Sequence, residues 1–225
     1  VKWLMFFLYA FSSFFAIVNP ISGLLTFLSL TEGMDIKERQ KTALRSVTTA
    51  CVLALVFAVT GELILRLFNV TLDNLMVAGG VLLMFVAVDM MHARTSRESV
   101  TPEEIKDAAR REDIAVFPLA MPLLTGPGAI TTAVVLMRSG GTVGHKAVTL
   151  LALVLTFAVT YLIFRFSEKI HRWLGVTVTL VITRIMGLLL AAIAINFISV
   201  GIWNIYKSMA SSGGEKRGCG AMRLE

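Results

Sequence analysis

Charge is what this chain has least of. Only 16% of its 225 residues are Asp, Glu, Lys or Arg, while 56% are hydrophobic and mean hydropathy is +0.78. A soluble domain carries about 25% charged residues, so this composition belongs to a membrane. Cysteine is nearly absent. Cys51 lies in an apolar run and Cys219 in a polar tail, which excludes a disulfide framework or a Cys-based metal site. The three histidines, His92, His145 and His171, stand near loops, so no metal site is expected. No His-Glu-x-x-His, Gly-x-Ser-x-Gly, P-loop or dinucleotide glycine pattern occurs. The expectation is therefore a protein that is not an enzyme, takes no cofactor and does not drive itself by hydrolysing ATP. The net charge of +6 does not point to nucleic acid, because the Lys and Arg residues sit in short loops between apolar runs. Proline is scarce too, yet four of the five, Pro20, Pro118, Pro122 and Pro127, fall in two segments.

What is present is a set of apolar runs at about 3–30, 43–67, 74–92, 114–137, 147–166 and 178–206. Each is near the length of about 20 residues that a hydrocarbon layer about 30 Å thick requires. Alternating strand patterns are absent, so helices are the expected spanning form. The first run is longer than a signal-peptide core and no small-residue cleavage site follows it, so it reads as the first span. The polar interval 94–113 divides the chain into halves, 1–93 and 114–207, and serves as a cytoplasmic linker.

The halves match one another. Asn19-Pro20 corresponds to Gly126-Pro127, Glu62 and Arg66 to Glu168 and Arg172, Val70-Thr71 to Val176-Thr177, Gly80 to Gly187, and Asp89 to Asn196, at an offset of about 107. Three spans is an odd number, so the second half enters from the opposite side. The fold expected is an all-α membrane protein of six transmembrane helices in two inverted three-helix repeats. Lys37, Arg39, Lys41, Arg45, Arg94, Arg97, Lys106, Arg110, Arg111, Arg165, Lys169 and Arg172 fall on one side, twelve positive residues against eight on the other with the tail included. The richer side should face the cytoplasm, leaving both termini outside. Residues 208–225 read as a disordered Gly-rich tail. Its last two residues, Leu224-Glu225, look like a vector-derived remnant and are given no function.

The two matched motifs, Asn19-Pro20-Ile21-Ser22-Gly23 and Thr125-Gly126-Pro127-Gly128, interrupt apolar runs. Asn is a strong N-cap and Pro suits the first helical position, so each motif reads as a helix starting in mid-membrane. Helices 1 and 4 are thus expected to be broken. Proline inside a helix costs about 3 kcal/mol, which argues for a use. A helix N-terminus offers unpaired N–H groups and about half a positive charge. Two such ends meeting would hold a carboxylate, and Gly23, Gly126 and Gly128 would let a small ligand approach the backbone. Free carbonyls of the preceding half-helices suit an ammonium group. The candidate binding set is Asn19, Pro20, Ser22, Gly23, Thr125, Gly126, Pro127, Gly128 and Asn196. A packing kink is the plainer reading of either motif alone. Asp89, late in the third span, is a candidate for coupling to a proton or Na+, or else snorkels to the interface. Asn196 is alternatively glue between helices.

These residues carry a resemblance. Ile114 to Pro122 continuing through Thr125-Gly126-Pro127-Gly128-Ala129-Ile130, together with Ala16 to Gly23, Ala78 to Leu83 and Ile182 to Gly187, resembles the MarC family of integral membrane proteins over about residues 3–206. The resemblance implies a multi-pass protein of the cell (inner) membrane. Some members look like transporters of glycine and alanine coupled to protons or cations, which fits a zwitterion site. The expected function is a secondary transporter of small neutral amino acids working by alternating access. Its expected partners are the substrate, a coupling ion and the lipid bilayer. Efflux of drugs or other small metabolites is a second reading. A non-transporting membrane enzyme or assembly factor is a third, of another class.

Overall fold

The computed structural model describes residues 2–92, 114–139 and 141–221, and the interval 94–113 lies outside them. Every element among the described residues is helical: α1 (Lys2–Val18), α2 (Pro20–Leu30), α3 (Ile36–Leu67), α4 (Leu72–Met91), an irregular α5 of wide turns (Ala115–Leu124), α6 (Pro127–Ser139), α7 (Val143–Arg165) and α8 (Ser167–Ala221). Among the described residues, five stretches are long and apolar enough to cross a bilayer: Lys2–Leu30, Ile36–Leu67, Leu72–Met91, Val143–Arg165 and Thr177–Ala210. The sixth apolar run is divided between α5 and α6, neither of which alone reaches the spanning length. The last helix continues past 208 to Ala221, into the segment that composition marks as a disordered tail, and 222–225 lie outside the described residues.

Local chemistry sets the helix ends. Asp35 caps α3 by accepting from the Lys37 N–H at 2.8 Å, and Thr71 caps α4 by accepting from Asn74 at 3.2 Å. The α3–α4 turn passes through Asn69 at φ 54°, and α8 is broken at Gly175 with φ 66°. These two left-handed positions correspond under the sequence offset. So, within a residue or two, do Gly33 (φ 84°) and Gly141 (φ 61°).

The interior is built from small residues and the exterior from large apolar ones. On α3 the buried positions are Ala43, Ser46, Val47, Ala50, Ala54, Ala58 and Gly61, whereas Leu44, Val52, Val56, Val59 and Leu63 point outward. Such an outer surface is at home in lipid, and small interior residues let helices approach closely. The most extensive helix–helix contact among the described residues is the antiparallel seam between α4 and α8. A Cβ on Gly80 would stand 2.9 Å from the Ala194 carbonyl oxygen, one on Gly187 3.1 Å from that of Ala87, and one on Gly201 2.8 Å from that of Asp73. The first two contacts exchange partners when 107 is added to or subtracted from each residue number.

The bundle has two polar ends. At one, Trp3 lies against His145 with ring centroids 4.6 Å apart, Asn204 donates to Asp73 at 2.9 Å, and Glu62 joins Arg66 at 2.7 Å and Arg138 at 4.0 Å. At the other, Arg39 forms an ion pair with Glu168 and donates to the Thr31 carbonyl at 3.2 Å.

Candidate functional site

The first break is a single residue wide. Asn19 still donates its N–H to the Phe15 carbonyl, closing the last turn of α1 at 3.0 Å, but its own backbone turns left-handed at φ 46°. Its side-chain Oδ1 then accepts from the Ser22 N–H at 3.4 Å, capping α2, while Pro20 occupies the first helical position. One residue therefore ends one helix and starts the next. Asn suits both tasks, since its short amide tolerates the left-handed region and caps helices well. Asn19 is 7% exposed, and its Nδ2 reaches the Met90 sulfur at 3.6 Å.

The second break is wider. Pro118 and Pro122 force the residues before them out of the helical region, so Phe117 (φ −128°, ψ 126°) and Met121 (φ −135°, ψ 126°) are extended inside α5. The sequence predicts a break at Gly126-Pro127. The chain departs from the helix there and also at these two earlier points. Thr125 bridges the gap by donating its N–H to Ala120 at 2.9 Å and its hydroxyl to the Ala50 carbonyl on α3 at 2.8 Å. That hydroxyl is fully buried, and its proton serves the backbone of α3.

The breaks lie side by side. Gly128, in the first turn of α6, faces Ile17 in the last turn of α1, and Gly23 on α2 faces Leu124 at the end of α5. Helix lengths place them near mid-depth. The eleven residues of α2 span about 16 Å to one end of the bundle and the thirteen of α6 about 20 Å to the other. The glycine faces expected to meet a ligand are filled by side chains here. A Cβ on Gly23 would stand 3.4 Å from the Phe164 ring, which is itself stacked on Phe27 at 4.6 Å, and a Cβ on Gly128 would overlap Leu83. Pro20 is buried, Ser22 and Gly126 are half-buried and Pro127 is exposed. The structure thus brings Asn19, Pro20, Ser22, Gly23, Thr125, Gly126, Pro127 and Gly128 into one neighbourhood.

Asn196 and Asp89 stand apart from it. Asn196 lines a cavity of about 370 Å³ between α1 and α8, with Tyr9, Ser12, Ser13, Ala16 and Ile193. Asp89 is exposed in the last turn of α4, next to the Met90 that touches Asn19. Tyr9, Ser12 and Ser13 are not among the candidate binding residues that the sequence motifs single out. The signal was available, since positions 9, 12, 13 and 16 share one helical face of an otherwise apolar span.

Residues 4–206 match the family described as MarC family integral membrane protein. Among similar proteins is UPF0056 membrane protein MJ1677 of Methanocaldococcus jannaschii, 39% identical over 88% of this chain and 97% of its own length. UPF0056 membrane protein YvbG of Bacillus subtilis is 35% identical over 92% and 98%, and UPF0056 membrane protein YhcE of Escherichia coli 33% identical over 88% and 93%. No solved structure matches the chain.

Proposed function

The chain belongs to the MarC family of integral membrane proteins, and from that premise we propose that it is a secondary transporter of small neutral amino acids, glycine- or alanine-like, rather than an enzyme. The observation that carries the reading is the side-by-side placement of two helix breaks, each followed by a helix with proline at its first position. Irregular backbone at membrane depth is tolerated where it is enclosed by protein, and paired helix starts there suit an anionic group. The substrate carboxylate is held at the first turns of α2 and α6, with Asn19, Ser22, Thr125, Gly126 and Gly128 around it. Phe164 and Leu83 must swing away to admit it, which makes the present arrangement the closed state of the site.

Alternating access needs two comparable halves, and several features favour an inverted repeat with α5 and α6 together as its sixth span. The paired left-handed turns, the exchanging contacts of the α4–α8 seam and the acidic residues Glu62 and Glu168 at opposite ends follow offsets of 106 to 108. Coupling to a proton or Na+ is assigned to Asp89. The termini are assigned to the extracytoplasmic side of the cell (inner) membrane, from the Lys and Arg distribution. Uptake of labelled glycine and alanine into proteoliposomes, with and without a pH or Na+ gradient, tests the reading. Accumulation driven by a gradient supports it. Absence of both uptake and exchange with every small amino acid overturns it.

A further inference from the structure

The groove between α1 and α8 holds more polar chemistry than a lipid-facing surface should. Its wall carries Tyr9, Ser12, Ser13 and Asn196. Ser12 lies nine residues from Trp3 and Asn196 seven from Trp203, so both sit about 10–14 Å inward from those terminal aromatic residues. At that depth an unpaired amide against hydrocarbon is costly. Asn196 is nevertheless exposed, and its side chain makes no hydrogen bond among the described residues. A groove of this polarity suits water better than acyl chains. A volume of about 370 Å³ has room for about a dozen water molecules at about 30 Å³ each, or a small zwitterion with part of its hydration shell.

The hydrogen bonds set the groove's polarity. The Ser12 and Ser13 hydroxyls both donate inward to the Tyr9 carbonyl, at 3.0 and 2.8 Å. Their protons are spent, so what they present is oxygen lone pairs, which accept from an ammonium group. Asn196 supplies an amide N–H₂ for a carboxylate. The repeat does not impose this pattern. The offset pairs Tyr9, Ser12 and Ser13 with Val116, Leu119 and Ala120, all apolar, and only Asn196 has a polar counterpart, Asp89. Along α1 the groove runs from Tyr9 to Ala16, three residues short of the break at Asn19.

We infer that this groove is a hydrated vestibule that receives the amino acid on its way to the breaks, with the Ser12 and Ser13 oxygens facing its ammonium group and the Asn196 amide its carboxylate. The inference rests on the transport reading and adds to it an access route, a direction of approach and a set of recognition residues. The site is separate from the helix starts themselves.

Cysteine accessibility in proteoliposomes tests it. In a background with Cys51→Ala and Cys219→Ser, single Ala192→Cys and Ile193→Cys variants, at groove-lining positions that supply none of its polar groups, are treated with a charged, membrane-impermeant thiosulfonate. Leu188→Cys and Ile195→Cys, exposed on α8 outside the groove, serve as controls. A thiol in hydrocarbon stays protonated and unreactive, so both groove positions should react at least about tenfold faster than the controls. Glycine should slow the reaction, and acetate, which lacks the ammonium group, should not. Groove thiols as inert as the controls would show a lipid-filled groove and overturn the inference. So would brisk reaction unaffected by glycine. Glycine uptake by the cysteine-free parent reads the transport function separately, so loss of protection with uptake intact counts against the vestibule alone.

Discussion

Asn19 offers the sharpest quantitative test, because two contributions at one residue can be separated by two substitutions. In Asn19→Ala the cap on Ser22 and the Nδ2 contact with Met90 are lost, and an alanine is left at φ 46°. The cap is long at 3.4 Å, so its loss belongs at the lower end of the 0.5–2 kcal/mol range, about 0.5 kcal/mol. Holding a side chain other than Asn or Gly in the left-handed region adds about 1–2 kcal/mol. The sum is about 2 kcal/mol, or about 4–8 °C in Tm for a chain of this size by the scaling for soluble domains. Asn19→Gly loses the same cap but adopts the left-handed backbone freely, so its cost should stay near about 0.5 kcal/mol. Thermal unfolding of both variants in detergent, followed by loss of the monodisperse species, measures the difference. Equal destabilisation by Ala and Gly would refute the argument that left-handed geometry is what selects Asn here.

Four further outcomes are expected. Gly128→Ala should cost about 1–3 kcal/mol through its overlap with Leu83. The double variant with Leu83→Ala should then be more stable than the sum of the two single losses, as read by thermal unfolding, and strict additivity would show that the two do not touch. Arg39→Gln and Glu168→Gln should each change glycine uptake, and the exchange Arg39→Glu with Glu168→Arg should restore part of it; neutral single variants would make the ion pair incidental. Asp89→Asn should abolish accumulation driven by a pH or Na+ gradient while leaving exchange of bound substrate, and undiminished accumulation would remove Asp89 from coupling. A lone cysteine from Lys106→Cys should react with an impermeant reagent only after cells are permeabilised, whereas labelling in intact cells would reverse the orientation.

The breaks were legible because they are written in local chemistry. Asn-Pro and Gly-Pro state where a helix starts without reference to the rest of the chain. The distortion of α5 goes beyond the break expected at Gly126-Pro127, although the same logic applies to it, since Pro118 and Pro122 dictate the backbone of Phe117 and Met121. What covers the breaks was not legible. That Phe164 packs on Gly23 and Leu83 on Gly128 is decided by helix rotation and tilt, which apolar periodicity leaves open in a chain that is apolar on nearly every face. The same ambiguity hid the groove. Nothing local says that Ser12 on α1 and Asn196 on α8 share a wall, or that Asn196 lies away from the helix starts. Glu62 with Arg66 and Glu168 with Arg172 stand four residues apart in the sequence, but the contact of Arg39 with Glu168 joins residues 129 positions apart.

The glycine seam between α4 and α8 also bears on how the protein is made. Gly80 and Ala87 leave the ribosome more than a hundred residues before Gly187 and Ala194, a delay of roughly 5–20 s at about 5–20 residues per second. Through that interval the α4 face that will meet α8 has no mate. Glycine-rich faces of this kind readily join identical neighbours side by side in lipid. Its contacts here are with a helix running the opposite way, whereas every newly inserted α4 points in the same direction, so pairing between copies should be disfavoured. Its waiting surface is thereby reserved for the later half of its own polypeptide. Crosslinking between nascent copies through a cysteine at Val77 in cells should accordingly be weak, and efficient crosslinking there would show that the face is promiscuous before synthesis ends.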